Sequence, residues 1–266
     1  MKPVVVAGAV AAGMSAASVL RRNLPEQPVV VYGREEYISY GACGMPYFIG
    51  GEIESYENLA VLTPEKAREK RGIDLHVRHE VINIDRERHT VEVKNLTTGE
   101  TFEQEYEKLV LATGARAVMP PIPGADLEGV LPLKELKDSV RLDAFLRAHE
   151  PEHAVIIGGG YIGVEAAEAF HHRGIEVTIV EALPRILNIV DEEMSELATR
   201  EIESQGVAVR TDTKVVGIEG NDRVEAVRLE GGERLSASVV LVSVGIRPNS
   251  EIAEQAGLKL GDKKAI

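Results

Sequence analysis

A single cysteine, Cys43, stands in the whole sequence. That excludes an intrachain disulfide, and with nothing pointing to an oxidising compartment a cytoplasmic location is expected. Positive charge is also scarce: 30 Lys and Arg face 43 Asp and Glu, for a formal net charge of −13. A surface of that sign argues against non-specific binding to nucleic acid or to an anionic membrane, because both need a basic face. Any anionic ligand must be held by local features. No apolar run reaches the roughly 18 residues of a membrane-spanning helix. What is present is ordinary for a globular chain: 44% hydrophobic and 27% charged residues among 266, enough for one large or two modest domains with real cores.

The N-terminus admits two readings. Lys2, an apolar run from Val4 to Leu20 and then Arg21-Arg22 have the layout of a secretory signal. The same residues also read as a strand (Val4–Ala7), a glycine turn and a helix of small residues (Met14–Arg22). Gly8 and Gly13 fall where a phosphate-binding turn needs them, which favours the second reading. Val29–Tyr32 is the next strand, completing a βαβ unit. A glycine turn at that point lets the backbone approach a pyrophosphate, and the helix N-terminus supplies amide donors. The match to G-x-G-x-x-G is imperfect. Val10 replaces the middle glycine, and Gly33 stands where an acid for the ribose is expected, with Glu35 and Glu36 just beyond.

Residues 34–78 form an insert that carries Cys43, in Ser39-Tyr40-Gly41-Ala42-Cys43-Gly44-Met45-Pro46-Tyr47. Thr63-Pro64-Glu65 opens a helix that runs to Arg71, where Gly72 stops it. Val81–Ile84 and Thr90–Val93 flank a charged turn, and a further strand follows the polar turn of residues 95–100. Together they read as a β-meander. Leu109–Gly114 is an apolar strand ending in glycine, and Met119–Gly124 reads as an extended domain crossing.

The plan then repeats. Ala154–Ile157 is a strand, Gly158-Gly159-Gly160-Tyr161-Ile162-Gly163 is a full G-x-G-x-x-G, and Val164–Arg173 is a helix. Val177–Val180 follows, with Glu181 at its tip. A carboxylate there accepts hydrogen bonds from a ribose diol and repels a 2′-phosphate, so NADH is expected over NADPH. A helix over 191–205 leads to a second meander, expected over 207–209, 214–219, 224–230 and 234–236. Val239–Gly245 closes this copy as Leu109–Gly114 closed the first. Much of the extra length of the first copy lies in the Cys43 insert.

Two such folds in tandem, the second nested between Ala112-Thr113-Gly114 and Gly245-Ile246-Arg247-Pro248-Asn249, resemble the FAD-dependent pyridine nucleotide-disulfide oxidoreductases. The Cys43 stretch from Ile38 to Tyr47 resembles the single-cysteine branch. That branch holds coenzyme A-disulfide reductases, NAD(P)H-dependent persulfide or polysulfide reductases, and NADH oxidases and peroxidases. The resemblance covers essentially the whole chain. It implies an α/β fold of the glutathione-reductase type: two Rossmann-like, three-layer ββα dinucleotide-binding domains, each with a β-meander. The FAD-binding domain would be discontinuous, 1–118 and 247–266, and incomplete at its C-terminus; the NAD(P)H-binding domain would be 119–246. FAD is implied at Gly8, Val10, Ala12, Gly13, Arg34, His79, Glu80, Val81, Ala112, Thr113 and Gly114. NADH is implied at Gly158, Gly160, Tyr161, Ile162, Gly163, Glu181 and Gly245.

Dithiol members of the superfamily use C-x-x-x-x-C. Partners at that spacing from Cys43 are Ile38 and Phe48, so a dithiol relay is excluded. Cys43 must work through a mixed disulfide, a persulfide or a sulfenic acid. Peroxidase and oxidase members carry a His at the fourth position of the first turn; here it is Ala11, which shifts the expectation toward sulfur substrates. In the resembled reductases, positions matching Ser15, Arg22, Ser39 and Arg71 face coenzyme A. Many of those reductases have Asn where this chain has Ala42. The implied activity is NAD(P)H-dependent reduction of a coenzyme A disulfide, persulfide or polysulfide, with Cys43 as the redox centre and Tyr161 covering the flavin side of the nicotinamide site. The alternatives are an NADH oxidase or peroxidase, and an electron-transfer flavoprotein of the ferredoxin- or rubredoxin-reductase kind with Cys43 merely buried. The resembled proteins continue past Gly261-Asp262 into a closing strand and a dimerisation domain. A fragment, or a truncated nucleotide-binding protein without turnover, is therefore also expected. A homodimer is implied for the full-length family and left open for this chain.

Overall fold

A computed structural model describes the chain from Met1 to Ile266. In chain order its elements begin β1 (Val4–Ala7), α1 (Ala11–Asn23), β2 (Val29–Gly33), α2 (Met45–Gly50), α3 (Pro64–Arg71) and β3 (Asp74–Val77). There follow β4 (His79–Asp85), β5 (Thr90–Asn95), β6 (Thr101–Glu105), β7 (Lys108–Leu111), β8 (Ala115–Ala117), β9 (Val130–Pro132) and α4 (Leu136–His149). The next are β10 (His153–Ile157), α5 (Tyr161–His172), β11 (Glu176–Val180), α6 (Glu192–Ser204) and β12 (Ala208–Arg210). The last are β13 (Val215–Gly220), β14 (Val224–Leu229), β15 (Arg234–Ser236), β16 (Val239–Val242), β17 (Ile246–Pro248) and α7 (Glu251–Gln255). No helix is long and apolar enough to cross a membrane.

The chain divides into two compact units. The first comprises Met1–Gly41, Leu59–Arg116 and Pro248–Ile266; the second comprises Ala42–Asn58 and Ala117–Arg247. The segment Ala42–Asn58, which the sequence reading groups with the first fold, clusters with the second. The reason is local. Met45, Phe48 and Ile49 of α2 are buried, and α2 passes so close to α5 that a Cβ on Gly50 would lie 3.5 Å from Ala169 Cα.

The first unit is built on a parallel sheet of order β3-β2-β1-β7. Side chains alternate across it, as strand geometry requires. Val6, Val29 and Val31 meet Met14 and Ala17 of α1 and Ala67 of α3 on one face. Val5, Ala7, Val30 and Tyr32 meet Val81, Ile84, Val91 and Val93 of the β4-β5-β6 meander on the other. Helix, parallel sheet and meander make three layers. The second unit repeats them on a sheet of order β12-β11-β10-β16-β9, with Val155, Ile157, Val180, Val240 and Val242 packed on Ile218, Val224, Val227 and Leu229 of the β13-β14-β15 meander. Both units are thus α/β folds of the Rossmann-like, three-layer kind.

Two strand assignments change. The segment 207–209, expected in the second meander, appears as β12, which pairs in parallel with β11. Asp74–Val77, inside the insert, extends the first sheet in the same way by pairing with β2. Each is a short edge strand without alternation strong enough to announce its sheet.

Candidate dinucleotide sites and the single thiol

Each unit presents a glycine turn where its first parallel strand feeds a helix. In the first, Gly8 has φ +118°, a conformation that favours glycine, and a Cβ there would overlap the Ala112 carbonyl. A Cβ on Gly13 would overlap the Gly8 carbonyl, so α1 can cross the turn only without a side chain at that point. Val10 is the N-cap of α1, and its side chain makes no capping bond. No acid lies in the first turn, and Ala11 and Ala12 are exposed. The N–H groups of that helix end therefore face outward with no protein acceptor on the cap, an arrangement suited to a pyrophosphate. By contrast α3 is capped by Thr63, which accepts from Lys66 N at 3.3 Å.

The other residues expected at the first site gather at the same sheet end. Ala112 N donates to Ala7 O at 2.8 Å. Asn249 fastens the closing turn: its Nδ2 donates to Thr113 O at 3.0 Å, its O accepts from Thr113 Oγ1 at 2.6 Å and its N donates to Gly114 O at 3.0 Å. His79 Nδ1 donates to Val77 O at 2.8 Å. Glu80 is half-buried opposite Lys94, Val81 is buried, and Arg34 is exposed.

In the second unit Gly158 has φ +108°, and a Cβ would lie 2.6 Å from Ser243 O. Ser243 Oγ donates to Gly158 O at 2.9 Å, tying the closing strand to the turn. A Cβ on Gly163 would overlap the Gly158 carbonyl. Gly160 differs from both: its φ is −75°, and no atom lies within 4 Å of where its Cβ would be. Neither backbone nor packing requires glycine there, so the missing side chain keeps space open at the uncapped start of α5. The cradle fits a dinucleotide phosphate. Glu181 is half-buried at the tip of β11. Its Oε2 accepts from Gly159 N at 2.7 Å and its Oε1 from Leu183 N at 2.9 Å. Each carboxylate oxygen has a second lone pair for a ribose hydroxyl. Tyr161, first residue of α5, is 55% exposed; Ile162 is half-buried, and Gly245 has φ +116° with open space around it.

Cys43 sits in a single 3-10 turn, Ala42–Gly44, just before α2, and is a free, exposed thiol. Inert burial, as the electron-transfer alternative would have it, is not what is observed. Helix α2 and α5, whose first residue is Tyr161, belong to the same unit, and His172 Nδ1 lies 3.6 Å from Glu52 Oε1 between them.

The four residues expected at coenzyme A belong to the first unit. Ser15 and Arg22 are exposed on α1 and share a face with Ser18. Ser18 Oγ accepts from Arg71 Nη1 at 2.7 Å, which brings Arg71 to that face. Ser18 was not anticipated, although its i+3 spacing from Ser15 is the signal. Ser39 has φ +45° and donates from its N to Ala9 O at 3.1 Å. The neighbouring Arg21 is structural: its Nη1 donates to Pro25 O at 2.6 Å and to Gln27 O at 3.0 Å.

Two glycine turns, each opening an uncapped helix at the end of a parallel sheet, define a protein with two dinucleotide-binding units. The pyridine nucleotide-disulphide oxidoreductase family matches residues 2–266, and the chain belongs to that family. It is 40% identical over 266 residues to the NAD(P)H sulfur oxidoreductase (CoA-dependent) of Pyrococcus furiosus, covering all of this chain and 59% of that one. It is 33% identical over 258 residues to the NADH oxidase of Methanocaldococcus jannaschii, covering 97% of this chain and 57% of that one. The solved NAD-dependent persulfide reductase from A. fulgidus matches at a TM-score of 0.95 and 37% identity, over all of this chain and 50% of that one. The chain thus spans less than two thirds of these relatives.

Proposed function

We propose that the protein is an FAD-dependent NADH oxidoreductase that reduces a small-molecule disulfide, persulfide or polysulfide, coenzyme A-linked in its preferred form, through Cys43 alone. FAD would be held by the Gly8–Gly13 turn, the start of β4 and Ala112–Gly114; NADH would be held by the Gly158–Gly163 turn and Glu181. When bound, FAD supplies the two-electron chemistry that joins a nicotinamide to a thiol. The observation that carries the reading is the environment of the thiol. Cys43 is exposed, while Ile38 and Phe48, at the positions a second thiol would need, are 2% and 4% exposed hydrophobes.

With one thiol, the chemistry runs through a mixed disulfide. The Cys43 thiolate attacks one sulfur of R–S–S–R′, forming Cys43–S–S–R and releasing R′–S⁻. An incoming electron pair cleaves Cys43–S–S–R to the Cys43 thiolate and R–S⁻, and each released thiolate takes a proton. Ala11, at the start of α1, offers no acid–base group for peroxide, which favours sulfur substrates over the oxidase alternative. Ser15, Ser18, Arg22 and Arg71 form the polar, cationic face that suits a phosphorylated thiol carrier. Glu181 favours NADH, because a 2′-phosphate would stand against its carboxylate.

Intact-mass spectrometry tests the thiol chemistry. Protein whose Cys43 is a free thiol, treated with coenzyme A disulfide, should gain one coenzyme A moiety, mapped to Cys43 and lost on adding NADH to the flavin-loaded full-length protein. No adduct, or an adduct that NADH leaves in place, would contradict the reading.

A further inference from the structure

The two glycine turns correspond residue for residue. Gly8 N donates to Tyr32 O and Gly158 N to Val180 O, both at 2.8 Å, so Gly33 occupies the position of Glu181 and Ala9 that of Gly159. In the second unit these positions interlock. Gly159 has no side chain, a Cβ there would lie 2.5 Å from Ile186 Cγ2, and the Glu181 carboxylate takes the Gly159 N–H. In the first unit the arrangement is inverted. Ala9 contributes a methyl group, and a Cβ on residue 33 would lie 2.6 Å from Ala9 Cβ, closer than side-chain carbons pack. Gly33 does not have a positive φ, so the requirement for glycine comes from Ala9 and not from the backbone. Ala9 is 3% exposed and Gly33 is buried, which leaves neither atom room to yield. The next carboxylates along the chain are already engaged: Glu35 Oε2 accepts from Tyr40 OH at 2.7 Å, and Glu36 pairs with Arg78.

We infer that Ala9 and Gly33 are a complementary pair that replaces the ribose-binding carboxylate in the first unit, so that this unit holds its dinucleotide without reading the adenosine 2′-hydroxyl. The pair is a specificity determinant: it makes one turn of the repeat indifferent to a group that the other reads through Glu181. The inference rests on the reading that the first unit binds FAD.

The test compares binding of FAD with binding of FAD lacking the adenosine 2′-hydroxyl, followed by flavin fluorescence on the flavin-stripped protein. The native protein should bind the two within about threefold, since no charged acceptor distinguishes them. The double variant Ala9→Gly/Gly33→Glu should prefer FAD by about tenfold or more, the range expected of a hydrogen bond to a charged group. Gly33→Glu alone should bind both more weakly and melt at lower temperature by circular dichroism, and adding Ala9→Gly should restore the melting temperature. A native preference for FAD of tenfold or more overturns the inference. So does a Gly33→Glu variant that binds and melts like the double variant. If the native protein binds neither flavin, the FAD reading itself fails, a result distinct from undiminished but discriminating binding.

Discussion

Glu181 carries two tasks in one carboxylate. It closes the glycine turn through Gly159 N and Leu183 N, and in the proposed function it also accepts from the adenosine ribose. Glu181→Ala is expected to weaken NADH binding about tenfold, the scale of a lost hydrogen bond to a charge, and NADPH binding much less. Titration of the nicotinamide fluorescence on binding checks this; equal losses for both nucleotides would remove the ribose from the role of Glu181. Tyr32 supplies a prediction in pH. Burial, and then the Asp74 carboxylate, push its phenol from 10.0 up to about 12. The folded chain keeps this proton where an unfolded chain releases it. The stability it contributes is therefore complete below pH 10 and falls as pH rises from 10 to about 12. Tyr32→Phe should flatten that alkaline slope in urea unfolding; an unchanged slope would show that other groups set it. At this scale the sequence reveals which residue types stand at a turn, and Glu181 could be read directly. The reason for Gly33 could not, because it depends on the Cβ of a residue 24 positions away.

Glycines that look alike in the motif differ once the elements pack. Gly163 touches the Gly158 carbonyl, while Gly160 faces open space. Gly163→Ala should lower stability by about 1–3 kcal/mol through overpacking. Gly160→Ala should leave stability within about 0.5 kcal/mol of the parent while weakening NADH binding. Chemical denaturation and nucleotide titration separate the two effects; a destabilised Gly160→Ala would mean that its space is structural. Much at this scale was legible. The glycine turns, the first meander, the last three strands of the second and α3 appear where the periodicity and the Thr63-Pro64 start place them, while 207–209 joins the parallel sheet. The helices after the turns begin earlier than expected, at Ala11 and Tyr161, because Val10 and Gly160 already act as N-caps and small residues continue the first turn. Helix α4 carries no assignment in the sequence reading. Its sign was present in Glu135 and Asp138, whose reciprocal capping box includes Asp138 Oδ2 accepting from Glu135 N at 2.8 Å.

In the whole molecule, an acidic chain of net charge −13 still brings Arg71 to the face of α1 that carries Arg22. The internal repeat was the clearest global signal, because each copy contributes its own glycine turn and closing strand. The grouping of Ala42–Asn58 with the second unit was not legible. It follows from the burial of Met45, Phe48 and Ile49 and from the small residues Gly50 and Ala169 where two helices meet, contacts that no local pattern encodes. What this architecture is proposed to serve is redox chemistry at one thiol. The most direct test is Cys43→Ser in the full-length, flavin-loaded protein, with NADH-driven flavin bleaching and coenzyme A disulfide turnover measured side by side. Bleaching should persist while disulfide turnover falls to background. Disulfide turnover at the parent rate in the Cys43→Ser variant would contradict the assignment of Cys43 as the redox centre.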